Sequence, residues 1–161
     1  MMVKSRSTLT GLQLIVMLVL RVAIGWLLLY EGIGRAMNSS WSLTGYLSGS
    51  RGFFAEYFKS LITHSNVMYS FEIINEWGLI LIGMGLVFGL FSRFFSLAGL
   101  ILALIGYLSH PPFFGLSYTT VIQGSYLVVN ELFILFFLFL LFILFPTSQI
   151  VGLDRFIFGK K

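Results

Sequence analysis

Four long apolar stretches, separated by shorter polar ones, organise the chain. A helix crossing the hydrocarbon core needs roughly 20 residues, so these stretches predict spans at 11–37, 69–91, 94–109 and 126–145. Breakers mark their ends: Ser92-Arg93 as a tight turn, His110-Pro111-Pro112 after the third span, and Pro146-Thr147-Ser148 after the fourth. A basic lead fills residues 1–10, and a loop over 113–125 carries no charge. The loop at 38–68 is longer than a simple connection needs. In it Phe54, Tyr57, Phe58 and Leu61 recur at helical spacing and predict an amphipathic helix lying at the interface. Two readings of that helix stand, an aromatic anchor or a lid over a pocket. The tail at 149–161 mixes Leu153, Phe156 and Ile157 with Asp154, Arg155, Lys160 and Lys161, a pattern expected to lie along the membrane surface. The expected architecture is all-α, an integral membrane four-helix bundle forming a single domain over 1–161.

The first apolar run is unusual in carrying three charges, Arg21, Glu31 and Arg35. At about 100° per residue, Arg21, Gly25, Leu28, Gly32 and Arg35 share one stripe, with Glu31 beside it and four residues ahead of Arg35. Charges in hydrocarbon turn inward and find partners, and glycines on the same face let a second helix approach. The helix should therefore wall a polar pocket.

Other spans supply candidates for the same level. Glu72, Asn75 and Glu76 open the second span from the side where Glu31 and Arg35 lie. His110 ends the third span there, and Asn130 and Glu131 begin the fourth. Arg21 is expected apart from them, near mid-bilayer, with no acid at its level. Glu72, Asn75, Glu76, Leu79 and Gly83 form one further stripe; Gly99, Ala103, Gly106 and His110 form another. The pairs Gly25/Gly32, Gly78/Gly85 and Gly99/Gly106 are seven apart, a close-packing spacing. Asn75-Glu76 and Asn130-Glu131 also form a weak echo of a parallel repeat. The polar layer reads equally as an ion-pair network fastening helices or as a proton or ligand site. His110 reads as a helix C-cap or as a proton exchanger. The Phe-rich fourth span suits lipid, a partner subunit or a flat aromatic ligand.

Composition sharpens this picture. Of 161 residues, 58% are hydrophobic and only 10% charged, with mean hydropathy +0.96, far from a soluble domain with about 25% charge. The net charge of +4 is scattered, so no nucleic-acid surface is expected. Lys4, Arg6, Arg93, Arg155, Lys160 and Lys161 fall on one side, which predicts cytoplasmic N- and C-termini and extracytoplasmic long loops. Lys4 and Arg6 before an apolar run resemble a signal peptide, but the run is too long and too charged, so it is expected to be kept as a span. Cysteine is absent, which excludes dithiol relays and disulfides within the chain. His64 and His110 share no ligand spacing, so no metal is expected.

Several of these residues together resemble the DoxX family. They are Leu20-Arg21-x-x-x-Gly25, Tyr30-Glu31-Gly32-x-Gly34-Arg35, Asn75-Glu76-Trp77-Gly78 with Gly83, Gly89, Leu90, Phe91 and Arg93, then Tyr107-Leu108-Ser109-His110-Pro111-Pro112, and finally Pro146-Thr147 with Gly152-Leu153-Asp154-Arg155. The likeness spans nearly the whole chain and leans toward the DoxD-type subunits of thiosulfate:quinone oxidoreductases. It implies a multi-pass four-helix bundle of the cytoplasmic (inner) membrane, and a subunit that passes electrons from a sulfur compound to quinone. The bundle is also similar to that of vitamin K epoxide reductases, whose chemistry needs cysteines that this chain lacks. On this reading Arg21 and Arg35 bind an anionic or carbonyl group. Glu31, Glu76 and His110 are the candidate catalytic groups, and Glu72, Asn75, Asn130 and Glu131 complete the ligand-binding set. Quinone is the expected substrate, with membrane lipid, a partner subunit or further copies of the chain as partners. Two other readings remain: a non-enzymatic structural or assembly subunit, and a small-molecule carrier built as an oligomer.

Overall fold

Helix formation starts where the sequence first allows it. Thr10 stands before the apolar run, and its N–H donates to the Gln13 side chain at 3.0 Å, one arm of a capping box. From there α1 (Gly11–Met37) runs 27 residues without a break, about 40 Å at 1.5 Å per residue. A computed structural model describes residues 10–38, 41–50, 54–63, 65–111 and 129–155. The remaining elements are the short α2 (Leu43–Ser48) and α3 (Ala55–Ile62), the long α4 (Ser65–Phe88) and α5 (Ser92–Ser109), α6 (Glu131–Leu144) and a 3₁₀ turn at Thr147–Gln149. Among the described residues, three stretches are long and apolar enough to cross a membrane: α1, Val67–Phe88 of α4, and α5. The chain is therefore a helical membrane protein. α6 is more apolar still but only 14 residues long. The basic lead, His64, the 113–125 loop and the end of the tail lie outside the described residues.

Close packing of α1 on α4 follows from the predicted stripe, since Arg21, Gly25, Leu28 and Gly32 are the buried residues of α1. A Cβ at Gly25 would meet the Val87 backbone at 2.9 Å, and one at Gly32 would meet the Ile80 backbone at the same distance. A Cβ at Gly83 would meet the Leu29 backbone nitrogen at 2.6 Å. The two helices are thus antiparallel and backbone to backbone. α5 and α6 form a second pair. There Gly99 sits under the Phe139 ring and Gly106 meets Leu132, while Phe139 and Phe142 are almost fully buried. The two pairs meet where Gly85 lies against the Phe95 ring. Two turns away, a Cβ at Gly78 would meet nothing nearer than Leu102 at 3.8 Å. The expectation that Gly78 packs as tightly as Gly85 is therefore corrected: α4 and α5 touch at one end and part toward the other.

The turn between α4 and α5 lies at Gly89-Leu90-Phe91, not at Ser92-Arg93. Gly89 takes φ +64° and Phe91 φ +45°, and only glycine enters that region without strain. Ser92 and Arg93 instead open α5, because the Asp154 carboxylate accepts N–H bonds from Phe91 at 2.7 Å and Ser92 at 3.2 Å. Asp154 therefore caps α5 from 62 residues further along the chain. The tail follows suit. Leu153 N–H donates to the Phe88 carbonyl and Asp154 N–H to that of Gly89, and Asp154 is buried. Up to Arg155 the tail is fastened to the α4–α5 turn through Asp154, with Ile150, Val151, Leu153 and Arg155 left exposed.

Candidate functional site

The parting of α4 from α5 creates a cavity of about 520 Å³. Its walls are apolar: Leu28 from α1, Leu79 and Ile82 from α4, Ala98 and Leu102 from α5, and Phe139 from α6. Ile74 of α4 and Phe94 of α5 also line it and are 60% and 66% exposed. Among the described residues the cavity is therefore open to the side, between two spans. One end is covered by the long loop. Leu43, Leu47, Phe58 and Met68 form a small core of their own, and Leu43, Tyr46, Leu47, Phe58 and Leu61 face the cavity. The predicted helix at Phe54–Leu61 is thus real but divided in role: Phe58 is buried in the cover, whereas Phe54 and Tyr57 are exposed.

Polar side chains collect at the covered end. Arg35 pairs with Glu31 one turn back, donates through Nη1 to Asn75 Oδ1 on α4, and lies 4.7 Å from the Trp41 ring centre. The guanidinium is shared among two helices and the loop, and Glu31, Arg35 and Asn75 all line the cavity. Glu72 accepts the Leu43 N–H at 2.8 Å, which ties the start of α2 to α4. Of the predicted layer, Glu31, Arg35 and Asn75 are brought together directly, and Glu72 bonds the loop instead. Glu76 stands on the same turn of α4, half-buried.

Two residues that sequence reasoning passed over belong to this cluster. The Tyr46 hydroxyl lies near enough to the Ser109 side chain to interact with it, and its ring lies over His110 with centroids 4.2 Å apart. Ser109 Oγ is 2.9 Å from His110 Nδ1 and donates to the Gly106 carbonyl, also at 2.9 Å. Tyr46 and Ser109 line the cavity, while His110 packs behind them, 2% exposed. Burial pushes the Tyr46 hydroxyl up from its ordinary range, with Ser109 and Arg35 pulling the other way. Burial also pushes the His110 imidazole down, which favours the neutral ring. Nothing in the pattern around Tyr46 separated it from an interfacial anchor.

Asn130 and Glu131 play parts unlike those of Asn75 and Glu76. Asn130 caps α6, its Oδ1 accepting the Phe133 N–H at 2.9 Å, and its buried Nδ2 has no partner among the described residues. Glu131 opens the first turn and is exposed. The supposed repeat of an Asn-Glu pair set inside two spans is therefore corrected, because α6 begins at Glu131 instead of several residues earlier.

Arg21 does not belong to the cavity. Gly25 of α1 lies level with Leu86 and Val87 near the end of α4, so the first ten residues of α1 run past that end. The middle of α1 is consequently not the middle of the packed helices. Arg21 reaches the opposite end, donating to Thr147 Oγ1 at 3.2 Å and to the Val151 carbonyl at 3.0 Å. Asp154 supplies the opposite charge, so an acid does share its level. The proposed grouping of Arg21 with Arg35 as ligand-binding residues of one pocket is not what the geometry provides. No protein-family model, curated protein or solved structure matches this chain.

Proposed function

We propose that this protein binds a quinone-class lipid between its two helix pairs, as the membrane subunit of a quinone-linked oxidoreductase. The observation carrying the reading is the apolar cavity, reached from the side between α4 and α5 and ended by Arg35, Glu31, Asn75, Tyr46 and Ser109. A volume of about 520 Å³ lies in the range of small-molecule sites. Its shape separates an apolar tail from a polar head. Arg35 is already neutralised by Glu31, so the polar end favours an uncharged carbonyl over an anion, narrowing the two options that the sequence left. The residues assigned to the head group are Arg35, Glu31, Asn75 and Glu72, with Glu76, His110, Asn130 and Glu131 around them; Arg21 is assigned to the fold.

The DoxX resemblance supplies the rest of the proposal. In it α6 is the fourth span of a four-helix bundle, both termini are cytoplasmic, and the cavity's polar end faces the outer side of the cytoplasmic membrane. Electrons come from a reduced sulfur compound such as thiosulfate through a partner subunit, since quinone is the only redox group assigned here. A structural or assembly role is the second reading, favoured by the same Arg35 bonds, which already fasten α1 to α4 and the loop. Purified protein that retains quinone and supports thiosulfate-dependent quinone reduction with its partner bears out the first reading. A stable partner complex with neither property bears out the second.

A further inference from the structure

The polar end of the cavity contains a chain of three side chains with an adjustable direction. Ser109 has one hydroxyl hydrogen and two places to put it. It donates to the Gly106 carbonyl at 2.9 Å, and the Tyr46 hydroxyl beside it is the alternative acceptor, both residues lining the cavity. The Gly106 carbonyl does not depend on Ser109, because it also accepts the His110 backbone N–H at 3.2 Å. Turning the Ser109 hydrogen to the Tyr46 oxygen therefore leaves no acceptor stranded. His110 Nδ1, 2.9 Å from Ser109 Oγ, favours that turn when it carries its hydrogen, since it then donates to Ser109 from behind. With both bonds running that way, the Tyr46 hydrogen has no partner among the three and is directed to the cavity that Tyr46 lines.

We propose that Tyr46 is the donor that recognises a ligand carbonyl at the polar end of the cavity, held in that role by Ser109 and His110. This rests on the quinone reading above and names the group that reads the head. Tyr46 suits the task for three reasons. Its ring is fixed against His110. Its hydroxyl lies beside an apolar wall, where a neutral hydrogen bond gains most. It also sits on α2, so a ligand bonded to Tyr46 is held by the cover as well as by the spans. Arg35, bound to Glu31 and Asn75, is left to position the head group.

The test uses the full chain in detergent and two probes with the same tail, decylubiquinone and decylbenzene. Tyr46→Phe keeps the ring on His110 and removes only the hydroxyl; Ser109→Ala removes the group behind it. The expected result is roughly tenfold weaker decylubiquinone binding by Tyr46→Phe, as for one lost neutral hydrogen bond. Ser109→Ala should shift it in the same direction and by less. Decylbenzene affinity should be the same in all three proteins. Equal decylubiquinone affinity in wild type and Tyr46→Phe overturns the role of Tyr46 and leaves the cavity reading standing. Equal losses for both probes also overturn it, because the hydroxyl is then only filling space. Failure of the wild-type protein to bind decylubiquinone overturns the cavity reading itself.

Discussion

Arg35 is held by a carboxylate, an amide and an indole face drawn from three elements, while Lys59 on α3 is exposed. Arg35→Ala should therefore lower the melting temperature in detergent by several degrees and weaken ligand retention, and Lys59→Ala should change neither. Equal effects would remove Arg35 from the site. Gly83 and Gly34 form a second contrast. A Cβ at Gly83 would strike the α1 backbone, whereas one at Gly34 would meet nothing within 4 Å. Gly83→Ala should cost roughly 1–3 kcal/mol as the helices part, and Gly34→Ala should be neutral or stabilising by up to about 1 kcal/mol. His110 adds a pH dependence. Burial lowers its pKa in the folded state, so the unfolded chain binds the proton more readily. Stability should be full above about pH 6.5, the unperturbed value, and should fall as the pH drops below it. His110→Gln should flatten that part of a melting-temperature profile. At this scale the stripe from Arg21 to Arg35 was legible because helical geometry alone places its residues on one face. Tyr46 and Ser109 were not, because a loop tyrosine and a serine at a helix end carry no periodic signal.

The short elements act by covering and clasping. α2 and α3 build a small apolar core over the cavity, and Glu72 anchors the first of them through Leu43. At the other end Asp154 caps α5 while Arg21 holds Thr147 and Val151. Asp154→Ala should uncap α5 and loosen the tail, at a cost of roughly 1–2 kcal/mol, read as a lower melting temperature and faster amide exchange at Phe91 and Ser92. An unchanged exchange rate there would contradict the clasp. The long helices could be read from hydropathy with errors of a few residues at their ends. The clasp could not, because Asp154 lies 62 residues from Ser92 and its tail has the mixed composition of a surface segment. The stagger of α1 was also hidden: depth counted along one helix says nothing about where its neighbours end.

The molecule as a whole is two glycine-packed helix pairs, α1 with α4 and α5 with α6, joined tightly at Gly85 and Phe95 and separated near Gly78. The resulting wedge places a cavity of about 520 Å³ next to the polar side chains of the covered end. Helical periodicity in the sequence put Arg35 and Asn75 on the facing sides of α1 and α4, where they bond. It did not foretell the space beside them, since a gap is a property of how pairs of helices diverge. The most direct measurement is the quinone content of protein purified from native membranes, wild type against Gly78→Trp, which fills the wedge where the helices already stand apart. The expected result is quinone near one per chain in the wild type and its loss in a Gly78→Trp protein that still melts cooperatively. Equal quinone content in both proteins, or none in the wild type, would contradict it.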